Sequence, residues 1–117
     1  MTVTISIDGK DVEFKATAGT ATRYRRLFGR DLLTDFKEIK KNQDSPEGIS
    51  LADCDKLTNL AYVMALQAAK DKNDTDFPAD PVDWMDRFDV FPIGEILPAI
   101  MNLWTASMGV MAEPKKK

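Results

Sequence analysis

Polar and apolar residues alternate strictly at the start of the chain. Val3, Ile5 and Ile7 interleave with Thr2, Thr4 and Ser6, the period of a half-buried strand rich in β-branched residues. Asp8 and Gly9 then supply a turn, and Val12, Phe14 and Ala16 repeat the alternation on the way back, which predicts a β-hairpin. Two strands alone are marginal in water. The apolar face must therefore lie on helices or be extended by a neighbour's strand. The hairpin edge is a candidate assembly surface, a covered edge being the commoner arrangement.

Beyond Ala18 and Gly19 the period changes to that of helices. Thr20 or Thr22 can cap a first helix. Tyr24, Leu27 and Phe28 fall on one side of it, toward the core, and Arg23, Arg25, Arg26 and Arg30 spread over the rest. Gly29 can stop this helix in the left-handed conformation, and Asp31 can cap a second one that carries Leu32, Leu33, Phe36 and Ile39 inward. Lys37, Lys40 and Lys41 favour its C-terminal end. A kink is expected at Pro98 of the last helix, described below.

From 42 to 49 the chain is polar and holds Pro46 and Gly48, a surface loop. Ser50 with Asp53 forms an approximate capping box. The helix it opens, 51 to about 70, carries Leu51, Cys54, Leu57, Leu60, Ala61, Met64, Ala65 and Ala68 on one face, widened by Tyr62, Val63 and Leu66. A helix apolar on most sides belongs at the centre of a fold. Asp80 and Pro81 start a short helix, proline suiting the first helical position, with Trp84, Met85 and Phe88 on its buried side.

The last segment, 91 to 110, is long and apolar: Ile93, Ile96, Leu97, Ile100, Met101, Leu103, Trp104 and Met108. It reads either as the second half of the core or as an interaction or oligomer surface, to which Met101, Met108 and Met111 lend adaptability. The pattern as a whole predicts an α+β, mainly α fold, an N-terminal β-hairpin (1–17) packed on a bundle of about five helices (20–110). It forms a single domain over 1–112, with 113–117 a disordered tail.

At 117 residues, 44% hydrophobic and 30% charged, the chain has the make-up of one globular domain. A net charge of −3 argues against coating nucleic acid. The absence of histidine removes imidazole catalysis, Cys-His and Ser-His dyads and ordinary zinc sites. Cys54, a lone cysteine, reads as a small apolar residue on the inner face of its helix. Between 71 and 89 seven aspartates stand against Lys72 and Arg87, a local net charge of −5. DKNDTD fails as a calcium loop because Asp76 stands where glycine is required and Val82 where the bidentate glutamate belongs. Nothing apolar among these carboxylates would tune one for general acid or base work. No P-loop, cofactor motif, signal peptide or span of roughly 20 apolar residues is present. The reading is a non-enzymatic, cytosolic protein without cofactor or metal. The arginine cluster would neutralise the aspartate-rich segment of the same chain or of another copy, and a small nucleic-acid-binding module using Arg23 to Arg30 is the weaker alternative.

The succession RYRRLFGRDLLTDF, LTNLAYVMALQA, DFPADPVDWMDRFD and LPAIMNLW resembles the tail assembly chaperones of long-tailed (siphovirus-type) bacteriophages of Gram-positive hosts. The resemblance covers nearly the whole chain. It rests on Tyr24-Arg25, Phe28-Gly29, Asp31 ahead of Leu32-Leu33, and the Trp84 helix after an acidic linker. It implies a protein of the infected host's cytoplasm, absent from the mature virion, that keeps the tape measure protein soluble and helps recruit tail-tube protein. It further implies a longer form made by ribosomal frameshifting, and the A-rich codons of Lys115 to Lys117 fit a slippage site. A homo-oligomer is expected, as many copies would line one client. Residues suited to partner contact are Arg23, Arg25, Arg26 and Arg30 in the first helix and Ile93, Ile96, Leu97, Ile100, Met101, Trp104 and Met108 in the last. The alternative is a phage or host adaptor without chaperone activity.

Overall fold

Asp8 (φ 53°) and Gly9 (φ 76°) both occupy the left-handed region, as a two-residue hairpin loop between twisted strands requires. In the computed structural model, which describes residues 1–43 and 51–108, they join β1 (Thr2–Ile7) to β2 (Lys10–Lys15). The register is antiparallel, Val3 opposite Phe14 and Ile5 opposite Val12. Ile7, Phe14 and Ala16 are fully buried, and Val3, Ile5 and Val12 half-buried against the same core. Five helices follow: α1 (Thr20–Phe28), α2 (Leu32–Gln43), α3 (Leu51–Asp71), α4 (Pro81–Met85) and α5 (Ile93–Ser107). The fold is α+β and mainly α.

The hairpin lies on α3 through β2 and meets α5 through β1. The central helix is buried on nearly every side, Leu57, Leu60, Ala61, Tyr62, Val63, Met64 and Ala65 all lying in the core. Lys15 pairs with Asp71, and Lys72 with Glu13 at 2.5 Å, tying β2 to the end of α3. That end is closed by Asn73, whose φ of 57° lets Asp74 N–H reach the Ala69 carbonyl at 3.0 Å, a left-handed helix stop built without glycine.

α4 begins as its sequence requires, Asp80 Oδ1 accepting from Val82 N–H at 2.7 Å with Pro81 at the first position. It delivers Trp84 into an aromatic cluster. Phe14, Phe88 and Phe91 meet that indole edge-on with centroids 6.2, 5.5 and 5.9 Å away, and Tyr62 does so at 6.0 Å. Such contacts add to the area they bury. α5 runs continuously through Pro98, which faces outward. Among the described residues no helix is long and apolar enough to cross a membrane, and no acidic cluster has the make-up of a metal site.

Two apolar residues assigned inward stand outward. Leu27 is 49% exposed and Leu33 51%. Successive helical residues lie about 100° apart, so a stripe that takes Thr20, Tyr24 and Phe28 leaves Leu27 on its flank, and one that takes Leu32, Phe36 and Ile39 turns Leu33 away. The first helix also starts differently from expectation. Gly19 is its N-cap residue and makes no side-chain cap bond. Thr20 is instead fully buried, its Oγ1 donating to Gln67 Oε1 at 2.8 Å and accepting from Thr17 N–H at 2.9 Å. Its hydroxyl is needed to satisfy a buried amide of α3 and is unavailable to the helix end. α2 runs on to Gln43, so residues 42 and 43 of the loop expected over 42–49 are helical; the rest of that loop, the Ser50 half of the capping box, Met111 and the lysine tail lie outside the described residues.

Candidate partner-binding surface

The four arginines of α1 and its exit turn separate into three settings. Arg30 follows the Gly29 stop, where φ is 68° and the Gly29 N–H closes on the Arg25 carbonyl at 2.7 Å. That reversal aims its guanidinium at Asp35 on the inner stripe of α2. Nε donates to Oδ2 at 2.8 Å and Nη2 to Oδ1 at 2.7 Å, the two-point fork that arginine offers a carboxylate. Tyr24 Oη donates to the same Oδ2 at 2.7 Å. The carboxylate is 1% exposed. Burial pushes its pKa up, but the bonds from Arg30 and Tyr24 outweigh that and hold it below the usual carboxylate range. Burial, and then the carboxylate beside it, push the Tyr24 phenol well above its ordinary value. Arg30 is thus a structural clamp between α1 and α2.

Asp31 completes the turn, accepting from Leu33 N–H at 3.1 Å and from Thr34 Oγ1 at 2.9 Å. Arg25 stands on the exposed side above this cap, lining a shallow groove with Thr22, Asp31 and Leu32. Arg23 and Arg26 lie on the opposite flank. There they border, with Leu27 and with Leu66 and Lys70 of α3, an open groove of about 490 Å³. Leu27 and Leu66 give its lining an apolar part, and Arg23, Arg26 and Lys70 give it three cations.

Within one chain, these arginines do not pair with the aspartate-rich segment among the described residues. Arg30 is the one member of the cluster that forms an ion pair among the described residues, and its carboxylate belongs to α2. The 71–89 carboxylates have local uses: Asp71 holds Lys15, Asp74 accepts from Asp76 N–H and Asp80 caps α4. Arg87 of that segment donates to the Asp76 carbonyl and lies over the Phe77 ring at 5.6 Å. Arg23, Arg25 and Arg26 are left facing solvent.

The C-terminal residues marked for partner contact are used differently. Ile96, Leu97, Ile100, Met101 and Trp104 are buried, and Phe36 stacks on Trp104 with centroids 4.7 Å apart. Ile93 is half-buried, and Met108 alone of this set is exposed. On α1 the exposed apolar residue is Leu27, expected in the core; Leu33, Val82, Val90 and Met108 are exposed elsewhere on the described surface. The signal for Leu27 was present in the sequence as a leucine between two arginines at helical spacing. What the sequence does not carry is which flank of α1 stays exposed. Cys54 is half-buried, its thiol pushed up by burial and then by Asp55 and Asp53.

Comparison with protein-family models, with curated proteins and with solved structures finds no match for the chain.

Proposed function

We propose that this protein is a non-enzymatic tail assembly chaperone that binds the tape measure protein of a long-tailed phage in the infected host's cytoplasm, keeps it soluble and helps recruit tail-tube protein. Two kinds of support converge. One is the resemblance carried by RYRRLFGRDLLTDF and the motifs downstream of it. The other, which carries the physical case, is the α1 groove. Leu27 stands half out of the fold beside Leu66, flanked by Arg23, Arg26 and Lys70. A long helical, apolar client offers repeated amphipathic faces, and a groove lined by both leucines and cations can hold such a face while remaining soluble when empty.

Co-expression with a tape measure fragment tests the reading. The fragment is expected to remain soluble with the native chain and to precipitate with Leu27→Asp, whose far-UV spectrum should be unchanged because residue 27 lies outside the packed stripe. Equal precipitation with and without the native chain overturns the client assignment. The longer form, the absence from the virion and the recruitment of tail-tube protein belong to the same proposal. A coding sequence with no slippery heptamer over Lys115 to Lys117 would remove the frameshift from it.

A further inference from the structure

Among the described residues the outer margin of the hairpin is left open. Ala16 N–H donates to the Met1 carbonyl at 2.9 Å and the Met1 amino group to the Ala16 carbonyl at 3.1 Å, so residues 1 and 16 exchange both bonds. In an antiparallel ladder this arrangement recurs at every second pair. With the observed register, the N–H and C=O groups of Val3, Ile5 and Ile7 face β2. Those of Thr2, Thr4 and Ser6 point to the outer margin of β1, where no described residue pairs with them. All three residues are exposed.

Open edges are ordinarily guarded by charge, proline or a bulge. β2 carries Lys10, Asp11, Glu13 and Lys15, whereas β1 reads TVTISI, uncharged and without proline, and is paired in unbroken register. Val3 and Ile5 sit at this same margin and remain only half-buried, although Phe14, opposite Val3, is fully covered. An unguarded edge therefore coincides with incompletely covered apolar side chains.

We propose that β1 pairs with β1 of a second copy, antiparallel about Thr4, joining two hairpins into one four-stranded sheet. The strand is self-complementary in this register. Thr4 opposes Thr4, Thr2 opposes Ser6, and the outward groups of those residues supply about six inter-strand hydrogen bonds. Val3 opposes Ile5 at the closer spacing of a non-hydrogen-bonded pair, so each covers the other's exposed flank. With no charge in β1, a second copy meets no like-charge repulsion, and the hydroxyls form a polar ladder on the outer face. The joint covers less area than a permanent interface, so the dimer is concentration-dependent.

Sedimentation of the full chain over a range of concentrations tests this directly. The native protein is expected to pass from monomer to dimer, and Thr4→Lys, which sets two ammonium groups opposite each other, to dissociate at least about tenfold more readily. Thr4→Glu alone should do the same. An equimolar mixture of the two variants should recover the dimer, because Lys then opposes Glu. Thr4→Pro gives a second reading: the Thr4 N–H takes no part in the β1–β2 ladder, so its loss spares the hairpin and removes only the edge bond. A native chain that remains monomeric throughout overturns the proposal. So does a dimer that is indifferent to Thr4→Lys, or a mixture that fails to recover.

Discussion

Asp35 shows at the scale of one residue how polar groups fix this fold. A carboxylate on the inner stripe of a helix would ordinarily be costly, but here it receives a two-point fork from Arg30 and a phenol hydrogen from Tyr24. Tyr24→Phe keeps the ring, its edge-on contact with Phe28 at 5.2 Å and its volume, and deletes one hydrogen bond to a charged acceptor. It should lower unfolding free energy by about 1.5–3 kcal/mol, read as a fall in urea midpoint at constant slope. Acid should act through the same site. The folded-state pKa of Asp35 is depressed, so its contribution is complete above the unfolded value of about 3.9 and is lost as pH falls through the lower folded value. In Asp35→Asn the stability curve below about pH 4 should be flatter than in the native chain, although its plateau is lower.

The elements differ in how far their sequences announce them, and the difference is one of range. The hairpin, the Gly29 stop, the Asp31 cap and the Asp80-Pro81 start each depend on a few adjacent residues, and all were legible. Gly29 illustrates how local such a signal is. A Cβ placed there meets nothing within 4 Å, so Gly29→Ala should cost only the left-handed backbone term, about 1 kcal/mol, with Asn costing less. Thermal unfolding of the two variants would separate them. Illegible features cross between elements. Thr20 bonds Gln67 47 residues away, and the Tyr24–Asp35–Arg30 cluster closes across a turn. Helical spacing places Leu27 beside Tyr24 and Phe28 but cannot say that Tyr24 is buried while Leu27 stays half exposed. The candidate surface is therefore half legible: the sequence marks its arginines but puts Leu27 in the core, and of the two readings open for the apolar residues of α5, core or interaction surface, burial of Ile96, Leu97, Ile100, Met101 and Trp104 fits the first.

For the molecule as a whole, the two proposed contacts occupy different elements, the β1 edge and the α1–α3 groove, and this makes them separable. Pairing through β1 leaves both α1 grooves unoccupied, so a dimer would present two equivalent basic, leucine-bearing sites to one long client. A second site held near the first raises apparent affinity through effective concentration without any new contact. Thr4→Lys should therefore weaken binding to a tape measure fragment that spans both sites, by tenfold or more, and leave binding to a short single-site peptide unchanged. Leu27→Asp should abolish both and spare self-association. Charge reversal at Arg23, Arg25 and Arg26 should weaken client binding and remove most of its salt dependence, because these three face solvent while Arg30 holds Asp35. Helicity should survive that triple change. Binding isotherms for the long and short fragments at two ionic strengths would distinguish these outcomes: a dimer that gains nothing on the long fragment would place the two grooves out of reach of one client, and the chaperone would then act one copy at a time.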